Sequence, residues 1–216
     1  MSVPTVQPSR VPGLIGAGGV IAIAAGALLV LLLQFLPPTN TISPLRRTIS
    51  EYGLSTNKWI FNLALVLIAL GSAVLFAVHA LRHTLPPAAL FAGAVWTASL
   101  LVIVAFPKTD WAVGPSAGGT VHRIASVIGF VVLPVGLLIA AGRAFPADTP
   151  WRWVARILSI TSLGWFALIL TGVVVMLAGG GPWWTFVPLG LVQRLMALNE
   201  LFAVATLAVP LLRSTG

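Results

Sequence analysis

The chain contains no cysteine and only 7% of its 216 residues are charged. Without cysteine there are no disulfides, no thiolate metal sites and no cysteine nucleophile. A soluble domain carries roughly a quarter charged residues, so 58% hydrophobic content and a mean hydropathy of +1.04 exclude a water-soluble fold and indicate a membrane protein. Negative charge is scarcest, with four acidic residues against twelve basic ones. A net charge of +8 in a soluble chain would suggest nucleic acid, but the basic residues stand scattered between apolar runs and never form a stripe. Nucleic-acid binding is excluded.

Six stretches are present that suit the about 20 apolar residues a spanning helix needs, over 13–36, 58–81, 87–106, 119–142, 153–178 and 188–212. The first exceeds the apolar run of a signal peptide, and Leu36-Pro37-Pro38 is no small-residue cleavage site. Long unbroken runs also argue against a barrel of alternating strands. The expected fold is all-α, a polytopic bundle of six transmembrane helices forming a single domain over 1–216. Prolines and glycines close the spans at Leu85-Pro86-Pro87, Phe106-Pro107, Phe145-Pro146 and Gly179-Gly180-Gly181-Pro182. Pro134 and Pro210 fall inside spans, where kinks are expected rather than breaks. Trp59, Trp111, Trp151, Trp153, Trp183 and Trp184 lie near span ends, as an interfacial belt requires.

Six spans place both termini on one side. One face then carries Arg10, Arg82, Arg143, Arg152, Arg156 and Arg213, and the other Arg46, Arg47, Lys58, Lys108, Arg123 and Arg194. The counts tie, but Arg123 and Arg194 fall within helices and Glu51 and Asp110 accompany the second set, so both termini are expected in the cytoplasm. Arginine outnumbers lysine ten to two. With abundant alanine, glycine and proline, that points to a bacterial plasma membrane.

Three of the four carboxylates, Glu51, Asp110 and Glu200, gather on the outer side with Arg46, Arg47, Ser50, Tyr52, His122, Arg123, Gln193 and Arg194. Glu200 falls about 18 Å along the last helix, near the middle of the bilayer. A carboxylate there must face the bundle interior, find a partner or stay protonated, and is by default a functional candidate. Its bland alternative is a structural pair with Arg123 or Arg194. Gln193, seven positions earlier, lies on the Glu200 stripe. His122 opens the fourth span with Ser126 one turn deeper, suited to proton transfer or to holding a loop. His79 and His83 have i, i+4 spacing, but no third ligand joins them on that face, and no histidine faces another at one depth as bis-histidine haem would need. No metal and no cofactor is expected.

These residues are similar to the bacterial and archaeal six-helix membrane proteins known as domain of unknown function 998. The resemblance rests on Ile49-Ser50-Glu51-Tyr52-Gly53, on Phe106-Pro107 with Asp110, on His122, and on Gln193-Arg194 followed by Glu200. Many relatives read Phe-Pro-Thr-Asp where this chain inserts Lys108. The resemblance implies no established activity; a more distant likeness to the Frag/DRAM/Sfk membrane proteins implies lipid handling.

Three functions are compatible with the sequence. In the first, a lipid or lipid-phosphate binds an outer pocket, with Arg46, Arg47, Glu51, Tyr52, Arg123, Gln193 and Arg194 as ligands and His122, Asp110 and Glu200 as acid and base if the lipid is modified. The second is proton-coupled transport through Glu200. The third is a non-catalytic scaffold with membrane-complex partners, its polar cluster locking loops together. The sequence leaves open whether any reaction is catalysed.

Overall fold

A computed structural model describes residues 11–213, so Arg10 lies outside the described residues. Helices account for every regular element among the described residues: α1 (Val11–Leu32), α2 (Lys58–Leu81), α3 (Pro87–Ala105), α4 (Ala117–Ala144), α5 (Thr149–Leu177), the single turn α6 (Trp183–Phe186), α7 (Leu189–Ala205) and α8 (Ala208–Arg213). Short 3-10 turns at Thr39–Thr41 and Ile49–Leu54 shape the first loop. Six helical stretches are long and apolar enough to cross a membrane, α7 and α8 together forming the last. In hydrocarbon a chain must satisfy its own backbone, which selects helices for such sequences.

The ends follow local chemistry. Ser116 Oγ accepts the Gly119 amide at 3.0 Å to start α4, and Asp148 Oδ1 accepts that of Trp151 at 3.4 Å to start α5. α2 ends with Thr84 N–H donating to the His79 carbonyl and His83 N–H to that of Ala80, both at 3.1 Å. That closure puts His83 at φ +52°, outside the helix and exposed, while His79 stays buried in it. The H-x-x-x-H spacing is thus a helix terminus.

From α1 to α6 consecutive helices pack together, α5 meets α7, α7 also touches α4, α1 and α2, and α8 returns to α1. Small residues allow the closest crossings. Where α1 meets α2, a Cβ on Gly71 would lie 2.4 Å from the Gly19 carbonyl oxygen, so neither larger side chain nor wider spacing is compatible with this contact. Leu14, Ile21, Leu28, Leu70, Ile157 and Val174 are exposed on the outside, where lipid replaces water as solvent.

Two departures from the expected spans have physical causes. α1 stops at Leu32, and Gln34 begins a turn that donates to the Leu31 carbonyl at 3.0 Å. The last span breaks at Thr206–Leu207 instead of kinking through Pro210. Pro210 has no N–H for the Thr206 carbonyl, which accepts Val209 N–H at 3.0 Å and tightens the chain into a turn. Pro134, by contrast, is accommodated inside a continuous α4.

Candidate functional site

The 33–57 loop crosses one end of the bundle, and α7 holds it there. Arg194 Nη1 donates to the carbonyls of Pro44 (2.9 Å), Arg47 (2.8 Å) and Gly190 (3.0 Å), while Nη2 donates to Tyr52 Oη at 3.0 Å. Tyr52 is buried and donates onward to Gln34 Oε1 at 2.8 Å. Gln193 Oε1 accepts Ile49 N–H at 2.7 Å, and Leu191 N–H donates to the Leu45 carbonyl at 3.2 Å. Gly190 makes this approach sterically possible: a Cβ there would lie 2.5 Å from the Arg47 oxygen and 2.6 Å from that of Pro44.

A second tie joins this loop to the α3–α4 connection. Lys108 Nζ donates to Glu51 Oε1 at 2.5 Å and to Thr48 Oγ1 at 3.4 Å, and Arg47 lies 3.7 Å from Glu51. Lys108, the residue inserted relative to the Phe-Pro-Thr-Asp pattern, is therefore the counter-ion of Glu51. Arg46 reaches the Thr185 carbonyl at 3.4 Å.

Beneath the loop is a cavity of about 370 Å³ enclosed by α1, α2, α3, α4 and α7. Gln34, Ser50, Tyr52, His122, Gln193 and Arg194 gather at the loop end, Ser99 and Ser126 lie deeper in α3 and α4, and Leu65, Ile68, Trp96, Leu100 and Leu201 belong to the apolar remainder. Gln193 to Leu201 spans about 12 Å at 1.5 Å per residue, so the cavity reaches from the loop toward the middle of a core about 30 Å thick. Leu31 and Leu198 belong both to its wall and to the exposed outer surface, so it communicates with the side of the bundle. Trp96 is held in place by donating Nε1–H to Ser72 Oγ at 3.2 Å.

His122 is buried at the first turn of α4, and its Nδ1–H donates to the Phe106 carbonyl at 2.8 Å. This assigns Nε2 as the acceptor of the neutral ring.

Of the residues singled out from sequence, Tyr52, His122, Gln193 and Arg194 line one cavity. Glu51 and Arg47 sit in the loop network above it, and Arg46 reaches α6. Asp110 is exposed and caps its own turn, accepting Ala112 N–H at 3.0 Å. Arg123 lies over the Trp111 ring at 5.9 Å. Glu200 is fully buried against α5, where Ser162 Oγ donates to Oε1 at 3.0 Å and Oε2 has no hydrogen-bond partner. Neither Arg123 nor Arg194 pairs with it, because both are engaged toward the loops. His122, Asp110 and Glu200 thus do not converge. Sequence reasoning passed over Gln34 and Trp96; the signals were an amide inside Leu31-Leu32-Leu33-Gln34-Phe35 and a tryptophan at mid-span, away from the interfacial belt.

His79, on the opposite side, is saturated: Nε2–H donates to the Leu207 carbonyl at 2.8 Å and Nδ1 meets Thr84 Oγ1 at 2.6 Å. Among the described residues no cluster of three or more His, Cys, Asp or Glu side chains could hold a metal ion.

The match that decides the family runs over residues 11–210. The chain belongs to the family described as protein of unknown function (DUF998). The match covers the first five spans, the sixth as far as Pro210, and every residue of the cavity wall. No curated protein and no solved structure matches the chain. This member of the DUF998 family is an integral membrane protein with a six-span helical bundle.

Proposed function

We propose that the chain binds a membrane lipid or lipid-phosphate, its head group at the rim formed by Tyr52, His122, Gln193 and Arg194 and one hydrocarbon chain between α2, α3 and α7. The observation that carries this reading is the cavity: apolar for most of its depth, polar at one end, and reached from the lipid-facing side through Leu31 and Leu198. Sites for small amphiphiles are concave, largely apolar and supplied with a few convergent polar groups. The reading is of binding, since the three groups suited to acid–base chemistry do not meet. It places the rim in the outer leaflet of a plasma membrane with both termini cytoplasmic. Support comes from the outer cations being engaged, Lys108 with Glu51 and Arg194 with backbone carbonyls.

Native mass spectrometry of the protein released from nanodiscs tests it. Retained phospholipid or polyprenyl phosphate is expected for the native chain and not for Ala197→Phe, which fills the cavity. A native chain that retains no lipid defeats the reading. Because the chain has no cysteine, single cysteines at Ser55 and Thr84 report which face is outside.

One observation favours a second reading, proton-coupled transport: the mid-span Glu200 carboxyl has an unpartnered oxygen. Proteoliposomes with an internal pH dye would then show proton flux that Glu200→Gln abolishes. If His122→Ala and Glu200→Gln lowered only the melting temperature, the scaffold role with partners in a membrane complex would remain.

A further inference from the structure

The charge around the cavity is one-sided because the scarce acids are committed elsewhere. Glu51 faces Lys108 and Arg47, Asp110 folds onto its own turn, and Glu200 turns toward α5. Arg194 is the one formally charged side chain in the cavity wall, and no carboxylate lines it. Every partner of Arg194 is a neutral oxygen, three on Nη1 and Tyr52 on Nη2. A guanidinium carries five N–H donors. Nε–H and one proton of Nη2 donate to no residue among those described, and they are neighbouring donors of a planar fork that fits two oxygens of a phosphate or carboxylate.

We infer that the lipid held in this cavity has an anionic head, a phosphate or carboxylate, bound by the free edge of Arg194, with its hydrocarbon below. The inference rests on the lipid-binding reading above. A choline or ammonium head placed beside Arg194 would meet like charge with no carboxylate in the wall to offset it, and at the polar rim the Arg194 guanidinium already covers the Tyr52 ring at 5.7 Å. A depth of about 12 Å, lined by Leu65, Ile68, Leu100 and Leu201, suits hydrocarbon below the head rather than a bare anion.

The experiment compares dodecyl phosphate, dodecyl trimethylammonium and inorganic phosphate by calorimetry on the full chain in nanodiscs of neutral lipid. Dodecyl phosphate is expected to bind at least tenfold more tightly than dodecyl trimethylammonium, with no measurable binding of inorganic phosphate. Gln34→Glu puts a carboxylate against Tyr52 and should abolish the tenfold preference. Ser50→Asp repeats that test independently, should Gln34→Glu fail to fold. Equal affinity for the two amphiphiles, both lost in Ala197→Phe, overturns the anionic assignment and leaves the lipid cavity standing. Inorganic phosphate binding as tightly as dodecyl phosphate identifies a free-anion site and overturns the chain. If neither amphiphile binds, or Ala197→Phe changes nothing, both readings fall.

Discussion

Each end of the bundle buries a histidine that donates to a backbone carbonyl on another segment, and the two ends differ in what is left over. At one end His79 uses both ring nitrogens, on Leu207 and Thr84, beside the break between α7 and α8. Nothing remains to meet a ligand, and the residue works as a clasp. At the other end His122 uses Nδ1 on Phe106, and the ring lines a cavity. The same contrast separates the arginines: Arg213 pairs with Asp148, whereas Arg194 has no carboxylate and keeps unused donors. A polar group in a bundle core indicates function only when its hydrogen-bonding capacity exceeds what the protein itself consumes.

The comparison breaks if the clasp proves dispensable. His79→Ala leaves the Leu207 carbonyl without its side-chain donor and opens a hole, so thermal unfolding in detergent should show a loss of about 2–4 kcal/mol. Lipid retention by native mass spectrometry should be unchanged in whatever fraction stays folded. Next in size is Gly190→Ala at the opposite end. Its methyl group would push the Pro44 and Arg47 carbonyls off Arg194, costing about 1–3 kcal/mol and, unlike His79→Ala, reducing lipid retention as the rim is displaced.

His122→Ala sharpens the contrast from the functional side. The Phe106 carbonyl loses its side-chain donor beside an existing cavity, costing about 1–2 kcal/mol, yet lipid retention should fall severalfold; a melting shift with retention intact would make His122 a second clasp. The smallest effect is expected for Arg123→Gln. Arg123 is exposed and its one described partner is the Trp111 ring, so stability should change by no more than about 0.5 kcal/mol and retention not at all.

How legible the site was depended on the kind of residue. Tyr52, His122, Gln193 and Arg194 stood out because polar groups in an apolar chain are few and fall on one side once the spans are counted. Glu200 stood out for the same reason, yet its direction round the helix could not be read, since Gln193 at nearly the same angle faces the loop and Glu200 faces Ser162 on α5. Seven residues fix an angle on one helix, but they do not say which neighbour occupies that angle at each depth. Lys108 read as an insertion that shifted a motif, and its contact with Glu51 joins residues 57 positions apart.

What the sequence determined by itself is the solvent and the element. Scarce charge and long apolar runs require a bilayer, and a bilayer requires helices, because neither condition depends on which helix touches which. What only the tertiary structure decided is where the few charges are spent. Pairing Glu51 with Lys108, turning Glu200 to α5 and anchoring Arg194 on loop carbonyls are outcomes of helix order and rotation. Those outcomes leave a cavity with one uncompensated cation on its wall.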